Sequence, residues 1–262
     1  MMHSLTQAIT RLDGFFADRD TRPGLMGRRL LGVARPGDEK LAALLCQERD
    51  ARTKMDGSIG GAFVNTAWTA WEMMDLGLDA LQGGLSKVVS WVVTFLEGKP
   101  TAPAPVPLAL PNGIVLTNET GATFAAECLG LRLLLRAGQD VRPGVLRRLE
   151  RVLSLQPTLP DELAACALGV VAVSPVPYRD RLPECVARVA AAQRPDGTWG
   201  DADLLHMLEA LVLAGIRPVR TVIERAVPAL LGLQRPDGSF DDPPHEERAL
   251  IGLRALLVAK ET

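Results

Sequence analysis

The feature that most constrains the fold of this chain is an internal repeat. The stretch Gln193–Trp199 has the sequence QRPDGTW, and Gln234–Phe240, which starts 41 residues later, has the sequence QRPDGSF. A degraded copy lies between Gln47 and Ile59, where Asp-Gly-Ser is kept and isoleucine replaces the aromatic residue, and a weaker copy starts at Gln156. Repeats with this period predict helix–turn–helix units that stack on their neighbours.

The residue types of the repeat explain how it would form a turn. Proline followed by Asp-Gly ends a helix, because glycine adopts the left-handed conformation at little cost. The aromatic residue is expected to pack back over the end of the preceding helix, and the glutamine to hydrogen-bond open helix termini. We therefore interpret the repeated motif as structural.

The apolar spacing predicts a helix at about residues 5–16, then a Gly/Pro-rich passage over 22–37, then five pairs of helices. The predicted pairs are 38–50 with 63–77, 84–97 with 119–137, 144–155 with 161–173, 181–193 with 203–215, and 219–233 with 246–259. The connection 98–113 carries five prolines and should be extended. It is either a tolerated insertion or a flap over one mouth of the fold.

Composition excludes several classes of protein. The chain has 262 residues, of which 47% are hydrophobic and 23% charged, as in a globular fold of one large or two small domains. A net charge of -2 without a basic face makes nucleic acid an unexpected partner. No apolar run reaches the roughly 20 residues of a membrane span, and no secretory signal is visible, so we expect a cytoplasmic protein. Its four scattered cysteines predict buried, reduced thiols.

The pattern Q-x-x-D-G-x-[W/F], repeated near 40 residues between paired helices, resembles the QW motif of squalene–hopene cyclases, in the superfamily of terpene cyclases and protein prenyltransferases. The resemblance covers most of residues 38–260. It implies an all-α fold, a single α/α-toroid domain over 1–262 with about five to six helical hairpins. Inner helices would surround a central cavity. The oligomeric state is left open, including a homo-oligomer.

The same resemblance implies an acid that protonates an alkene. Class II cyclases use the middle Asp of a D-x-D-D motif, and the nearest stretch here is Asp201-Ala-Asp203-Leu204, in which Leu204 replaces the last Asp. Asp203 is the candidate proton donor, and His206, one helical turn later, is its candidate orienting partner. The alternative is that Asp201 or Asp203 caps the helix.

Aromatic residues indicate where an apolar ligand would bind. Phe63, Trp68, Trp71 and Phe124 fall on predicted inner helices, where they would line the cavity and stabilise a passing carbocation. Glu119 follows the Pro-rich loop at the start of an inner helix and completes the candidate substrate-binding residues. The alternative is that these aromatics are ordinary core. The resulting hypothesis is a terpene cyclase-like protein that binds an apolar isoprenoid-type ligand and cyclises it by protonation, without a cofactor.

Two other functions stay open. The first is a non-catalytic toroid that binds a lipid or a protein, which the missing D-x-D-D favours. The second is a zinc-dependent prenyl transfer subunit, because Asp203-Leu-Leu-His206 resembles the D-x-x-H stretch of protein prenyltransferases. Cys128 and Cys166 lie on neighbouring predicted inner helices, but the D-x-C stretch of that family is absent.

Overall fold

The computed structural model describes residues 2–98, 104–200, 202–241, 243 and 245–260. This part of the chain holds twelve α-helices and one two-stranded hairpin. The helices are α1 (Met2–Phe16), α2 (Arg22–Leu31), α3 (Asp38–Ala51), α4 (Phe63–Asp75), α5 (Gly83–Glu97), α6 (Glu119–Arg136), α7 (Pro143–Leu155), α8 (Asp161–Ala172), α9 (Leu182–Ala192), α10 (Leu204–Ala214), α11 (Arg217–Leu233) and α12 (Glu246–Lys260). None of the described helices is long and apolar enough to cross a membrane.

The helices form six antiparallel pairs arranged in a ring. The inner helices contact one another in the order α4, α6, α8, α10, α12 and α2, and the odd-numbered helices pack outside them. Arg22 of α2 closes the ring against α4, where it donates to Glu72 and Asp75. The predicted all-α toroid is confirmed, with six hairpins.

The passage 22–37 differs from the prediction because it contains a helix. The side chain of Thr21 caps α2 by accepting from the backbone of Gly24 at 3.2 Å, and proline occupies the first turn, where it is tolerated. A Cβ at Gly27 would clash with the ring of Phe16, so this glycine permits close packing of α2 on α1. The prediction of a break over 22–37 is wrong because the proline lies in the first turn of α2 and Gly27 lets α2 pack closely on α1.

The predicted turn chemistry of the repeat is largely confirmed. Asp196 Oδ1 accepts from the backbone and hydroxyl of Thr198 at 2.9 and 2.7 Å, and Gly197 has a φ of 88°. Trp199 is fully buried and donates from Nε1 to the carbonyl of Val189 in the preceding helix at 2.7 Å. The turn thereby fixes the end of α9.

The prediction that the motif glutamines bond open helix termini is wrong. Gln193 Nε2 donates to Gly197 O within its own turn and to Val222 O, inside the neighbouring outer helix α11, at 3.1 and 3.0 Å. Gln234 makes the equivalent bond to Ala8 O of α1 at 3.0 Å. Each motif therefore ties one hairpin to the next, and the last motif joins the end of the chain to its beginning.

The degraded third copy keeps the turn but lacks the glutamine. Asp56 Oδ1 accepts from the backbone and hydroxyl of Ser58, as in the complete motifs. A Cβ at Gly57 would clash with the backbone of α5, so this turn also packs directly on its neighbour. Thr53 occupies the place of the motif glutamine, whereas Gln47 is exposed on α3.

The Pro-rich connection forms a hairpin where it is described. Strands β1 (Leu108–Ala109) and β2 (Val115–Leu116) pair antiparallel, and the loop between them carries the buried side chain of Asn112. Residues 99–103 of the predicted flap lie outside the described residues. Leu108, Leu110 and Ile114 are buried, so apolar contacts anchor the hairpin to the helices.

Candidate functional site

Asp203 is the N-cap of α10, at the end of the ring where α8 and α10 begin, here called the N-terminal end. Its Oδ1 accepts from the backbone N–H of His206 at 2.9 Å. Arg248 also donates to both of its carboxylate oxygens, at 3.0 and 2.9 Å. The helix-cap interpretation of Asp203 thus has a direct geometric basis, and its role as proton donor stays a prediction. Asp201 lies outside the described residues.

His206 is buried on α10 and contacts four other side chains. Its Nδ1 lies 2.9 Å from Asn112 Nδ2, and its Nε2 lies 3.4 Å from Cys166 Sγ and 3.6 Å from Glu162 Oε1. Burial alone would lower the pKa of His206, but its contacts with Cys166, Glu209 and Glu162 raise it well above its ordinary value. Its hydrogen bond to Asp203 is made by the backbone, so its ring does not orient that carboxylate.

The Pro-rich hairpin closes this end of the ring. Asn112 Nδ2 also donates to Glu209 Oε2 at 2.8 Å, and Arg248 Nη1 donates to the carbonyl of Asn112 at 3.4 Å. The space left beneath the hairpin, beside Cys166 and His206, measures about 20 Å³. That volume is close to the space of one water molecule, so an organic ligand does not fit here while the hairpin is in place.

A much larger cavity lies at the opposite end, where α4, α6, α8 and α10 finish, here called the C-terminal end. Its volume is about 460 Å³, within the usual range for a small-molecule site. Trp68 and Trp71 of α4 form its main aromatic surface. The lining residues are Trp68, Trp71, Asp75, Arg132, Arg136, Val173, Glu209, Val212, Leu213, Glu247, Ile251 and Arg254.

Charged residues surround this cavity, and Arg22 is central to them. Arg22 is 1% exposed and donates to Glu72 at 3.2 Å, to Asp75 at 2.8 Å and to Glu247. Burial opposes its charge, but these three carboxylates raise the pKa of Arg22 above its ordinary value. Glu72 also accepts from Arg49 at 2.9 Å.

Two further arginines on α6 are fixed against the aromatic wall. Arg132 and Arg136 lie over the ring of Trp71, with their guanidinium carbons 5.0 and 4.4 Å from its centroid. Arg132 Nη2 donates to Glu209 at 2.8 Å, and Arg136 Nη1 donates to Asp75 at 2.6 Å. These contacts hold both guanidinium groups in place at the edge of the cavity.

The carboxylates of the cavity differ in their electrostatics. Burial would raise the pKa of Glu209, but Arg132 and His206 hold it well below its ordinary value. Burial raises the pKa of Glu247, and the attraction of Arg22 offsets only part of that increase. The surroundings thus shift the pKa values of Glu209 and Glu247 in opposite directions.

The other predicted substrate-binding residues lie elsewhere. Phe63 stacks on Phe95 at a centroid distance of 4.3 Å and lines a groove between α4, α5 and α6. Phe124 is buried in the core of α6, and Glu119, the first residue of that helix, is exposed. Of the predicted aromatic group, the C-terminal cavity brings together Trp68 and Trp71.

The four cysteines are buried and form no disulfide, as predicted. Burial, together with Cys166 and Glu127, raises the pKa of the Cys128 thiol well above its ordinary value. Within the described ranges, no group of three or more His, Cys, Asp or Glu side chains is arranged to hold a metal ion. Of the residues named for the zinc alternative, His206 and Cys166 lie in contact, but no third ligand joins them in this part of the chain.

The chain matches no protein-family model and no curated protein sequence. Among solved structures it is similar to the type II terpene cyclase MstE from Scytonema, determined as an Asp→Asn variant in complex with its substrate, geranylgeranyl dihydroxybenzoate. The TM-score is 0.59 at 14% sequence identity, and the match covers 98% of each chain. The chain therefore has a terpene cyclase-like α/α-toroid fold.

Proposed function

We propose that the protein binds an isoprenoid-type ligand in the C-terminal cavity, with its hydrocarbon chain against Trp68 and Trp71. The observation that carries the proposal is the 460 Å³ cavity beside two tryptophans of an inner helix. The similarity to a type II terpene cyclase bound to an isoprenoid-bearing substrate supports the choice of ligand class. Burial of the chain against aromatic surface would supply most of the affinity.

Binding is tested by native mass spectrometry of the purified protein with linear prenyl alcohols of ten, fifteen and twenty carbons. We expect one molecule bound per chain and a preference for one chain length. A folded protein that retains none of these alcohols would contradict the proposal. That result would favour the alternative of a protein-binding toroid.

Cyclisation is the second candidate function, and it needs a carboxyl group that holds a proton next to the ligand. Asp203 is the acid implied by the family resemblance. The raised pKa of Glu247 and its position in the cavity favour Glu247 as a second candidate.

Product analysis of wild type and two variants tests which of the two residues is the acid. Wild type, Asp203→Asn and Glu247→Gln are incubated with the ligand found above, and cyclic products are identified by gas chromatography–mass spectrometry. Loss of product in Asp203→Asn alone would support Asp203 as the acid, and loss in Glu247→Gln alone would support Glu247. Ligand returned unchanged by the wild type would contradict cyclisation and leave binding as the function. Circular dichroism of each variant controls for folding.

A further inference from the structure

We propose that the C-terminal cavity contains a subsite for an anionic head group, formed by Arg254 together with Arg132 and Arg136. All three guanidinium-bearing residues line the cavity that also holds Trp68 and Trp71. The ligand class would be an amphiphile with a carboxylate or phosphate at one end of an isoprenoid-type chain. This inference rests on the proposed function and adds the chemistry of the head group.

Arg254 differs from the other arginines of the cavity in its lack of an ion-pair partner among the described residues. It is partly buried on α12, and among the described residues it has no hydrogen bond and no carboxylate oxygen within 4 Å. Its longer-range attraction opposes the increase that burial causes in the pKa of Glu247. A partly buried guanidinium group lining a cavity is suited to bind oxygen anions in a bidentate manner.

The charges around the cavity leave one positive charge uncompensated. Four arginines around the cavity are ion-paired with four carboxylates, and Arg254 lines the cavity in addition to them. The paired arginines are Arg22, Arg49, Arg132 and Arg136, and the carboxylates are Glu72, Asp75, Glu209 and Glu247. The four carboxylates each accept from at least one arginine other than Arg254. One bound anion would neutralise the excess in a site that is only partly exposed to water.

The subsite is also largely organised before a ligand arrives. Arg132 and Arg136 are held by ion pairs with Glu209 and Asp75 and by the ring of Trp71. Fixing these side chains in advance lowers the entropy cost of binding. An amphiphile could place its anionic head between the arginines while its chain contacts Trp68 and Trp71.

Calorimetric titration with three fifteen-carbon probes tests the head-group inference. Farnesol, farnesoic acid and farnesyl diphosphate are compared at neutral pH in wild type, Arg254→Gln and Arg254→Lys. Arg217→Gln, at an exposed position of α11, serves as the matched control. We expect an anionic probe to bind at least about tenfold more tightly than farnesol. A ratio of this size in Kd corresponds to one charge-assisted hydrogen bond. Arg254→Gln should abolish most of this ratio, Arg254→Lys should keep part of it, and Arg217→Gln should not alter it.

The outcomes distinguish failure of the head-group subsite from failure of isoprenoid binding. Tighter binding of the diphosphate would identify a phosphate as the head group, and tighter binding of the acid would identify a carboxylate. Equal affinity of all three probes, or a ratio unchanged by Arg254→Gln, would overturn the subsite while leaving isoprenoid binding intact. Failure of every probe to bind the folded wild type would instead contradict the proposed function itself.

Discussion

The two ends of the ring are built from the same inner helices but differ in what fills them. At the N-terminal end, the Pro-rich hairpin inserts Asn112 between His206 and Glu209 and leaves about 20 Å³. At the C-terminal end, Trp68 and Trp71 border a space of about 460 Å³. Arginine–carboxylate pairs occur at both ends. At the N-terminal end, Arg248 forms ion pairs with Asp203 and Asp241, whereas Arg254 at the other end has no carboxylate partner among the described residues.

The position indicated by the family resemblance and the larger central space therefore lie at different ends of the ring. The family resemblance directs attention to Asp203, at the start of an inner helix. The hairpin closes that end, and Arg248 occupies both oxygens of Asp203. The larger of the two central spaces and the surface of Trp68 and Trp71 lie at the opposite end, together with Arg254, which has no carboxylate partner in the described part of the chain. We therefore propose the ligand site there.

The largest expected effect comes from breaking the charge network at the C-terminal end. Arg22→Met would leave Glu72, Asp75 and Glu247 in a buried cluster with less positive charge. We expect the free energy of unfolding to fall by about 3–5 kcal/mol, as when one partner of a buried ion pair is removed. Urea denaturation measures the change. Arg217→Met, at an exposed position, should stay within about 0.5 kcal/mol of wild type, and an equally small effect of Arg22→Met would contradict the structural role of the network.

The second effect concerns ligand affinity at the same end. Trp71→Leu removes the ring on which Arg132 and Arg136 lie and part of the apolar wall. We expect a loss of about 2 kcal/mol in binding, about thirtyfold in Kd, typical of a central aromatic contact. Titration with the preferred prenyl alcohol measures it. The matched control is Trp91→Leu on the outer helix α5, and equal losses in the two variants would argue against a site at Trp71.

A smaller effect on stability is expected at the N-terminal end. Asp203→Ala removes both the cap of α10 and the partner of Arg248, so we expect a cost of about 1.5 kcal/mol in unfolding free energy. Asp203→Asn keeps a capping oxygen and should cost about half as much. Urea denaturation of both variants compares the contribution of the capping hydrogen bond to the unfolding free energy with that of the ion pair to Arg248. Identical costs would show that the cap contributes nothing, contrary to its geometry.

The smallest expected effect is a pH dependence that originates beneath the hairpin. The pKa of His206 is raised in the folded protein above its unfolded value near 6.5. The stability from its protonated form is therefore complete below about pH 6.5 and is lost as the pH rises through the higher folded value. Chemical denaturation between pH 6 and pH 9 should show a decline in wild type that His206→Gln removes.

His245 provides the control for this pH dependence. Burial lowers the pKa of His245, so its contribution changes below about pH 6.5 rather than above it. His245→Gln should keep the decline between pH 6.5 and pH 9. A wild type and a His206→Gln variant with the same slope in that range would contradict the assigned titration.

The toroid could be predicted from the sequence because its determinants are local. The turns at Asp196-Gly197 and Asp237-Gly238 form through bonds within a few residues, and apolar spacing marks the helices around them. The helix α2 differs from the prediction for a local reason as well. Its Thr21 cap and Pro23 are start signals, but the glycines beside them are typical of a break.

The charged cavity could not be predicted in the same way. Arg22, Asp75, Arg132, Glu247 and Arg254 come from four inner helices that are distant in sequence, and only the closed ring brings them together. The one signal in the sequence is the spacing of Arg132 and Arg136, four residues apart in the apolar second half of an inner helix. Which end is open depends on the hairpin, whose tip residue Asn112 has no sequence feature that predicts its burial.

The location of the ligand is the central claim, and photo-crosslinking tests it most directly. A farnesol analogue that carries a diazirine is irradiated in the protein, and the labelled peptides are mapped by mass spectrometry. We predict adducts within residues 67–76 of α4 and its C-cap and residues 247–258 of α12, suppressed by excess farnesol. Adducts confined to the hairpin at 108–116 and to residues 203–206 would place the ligand at the N-terminal end and contradict the account.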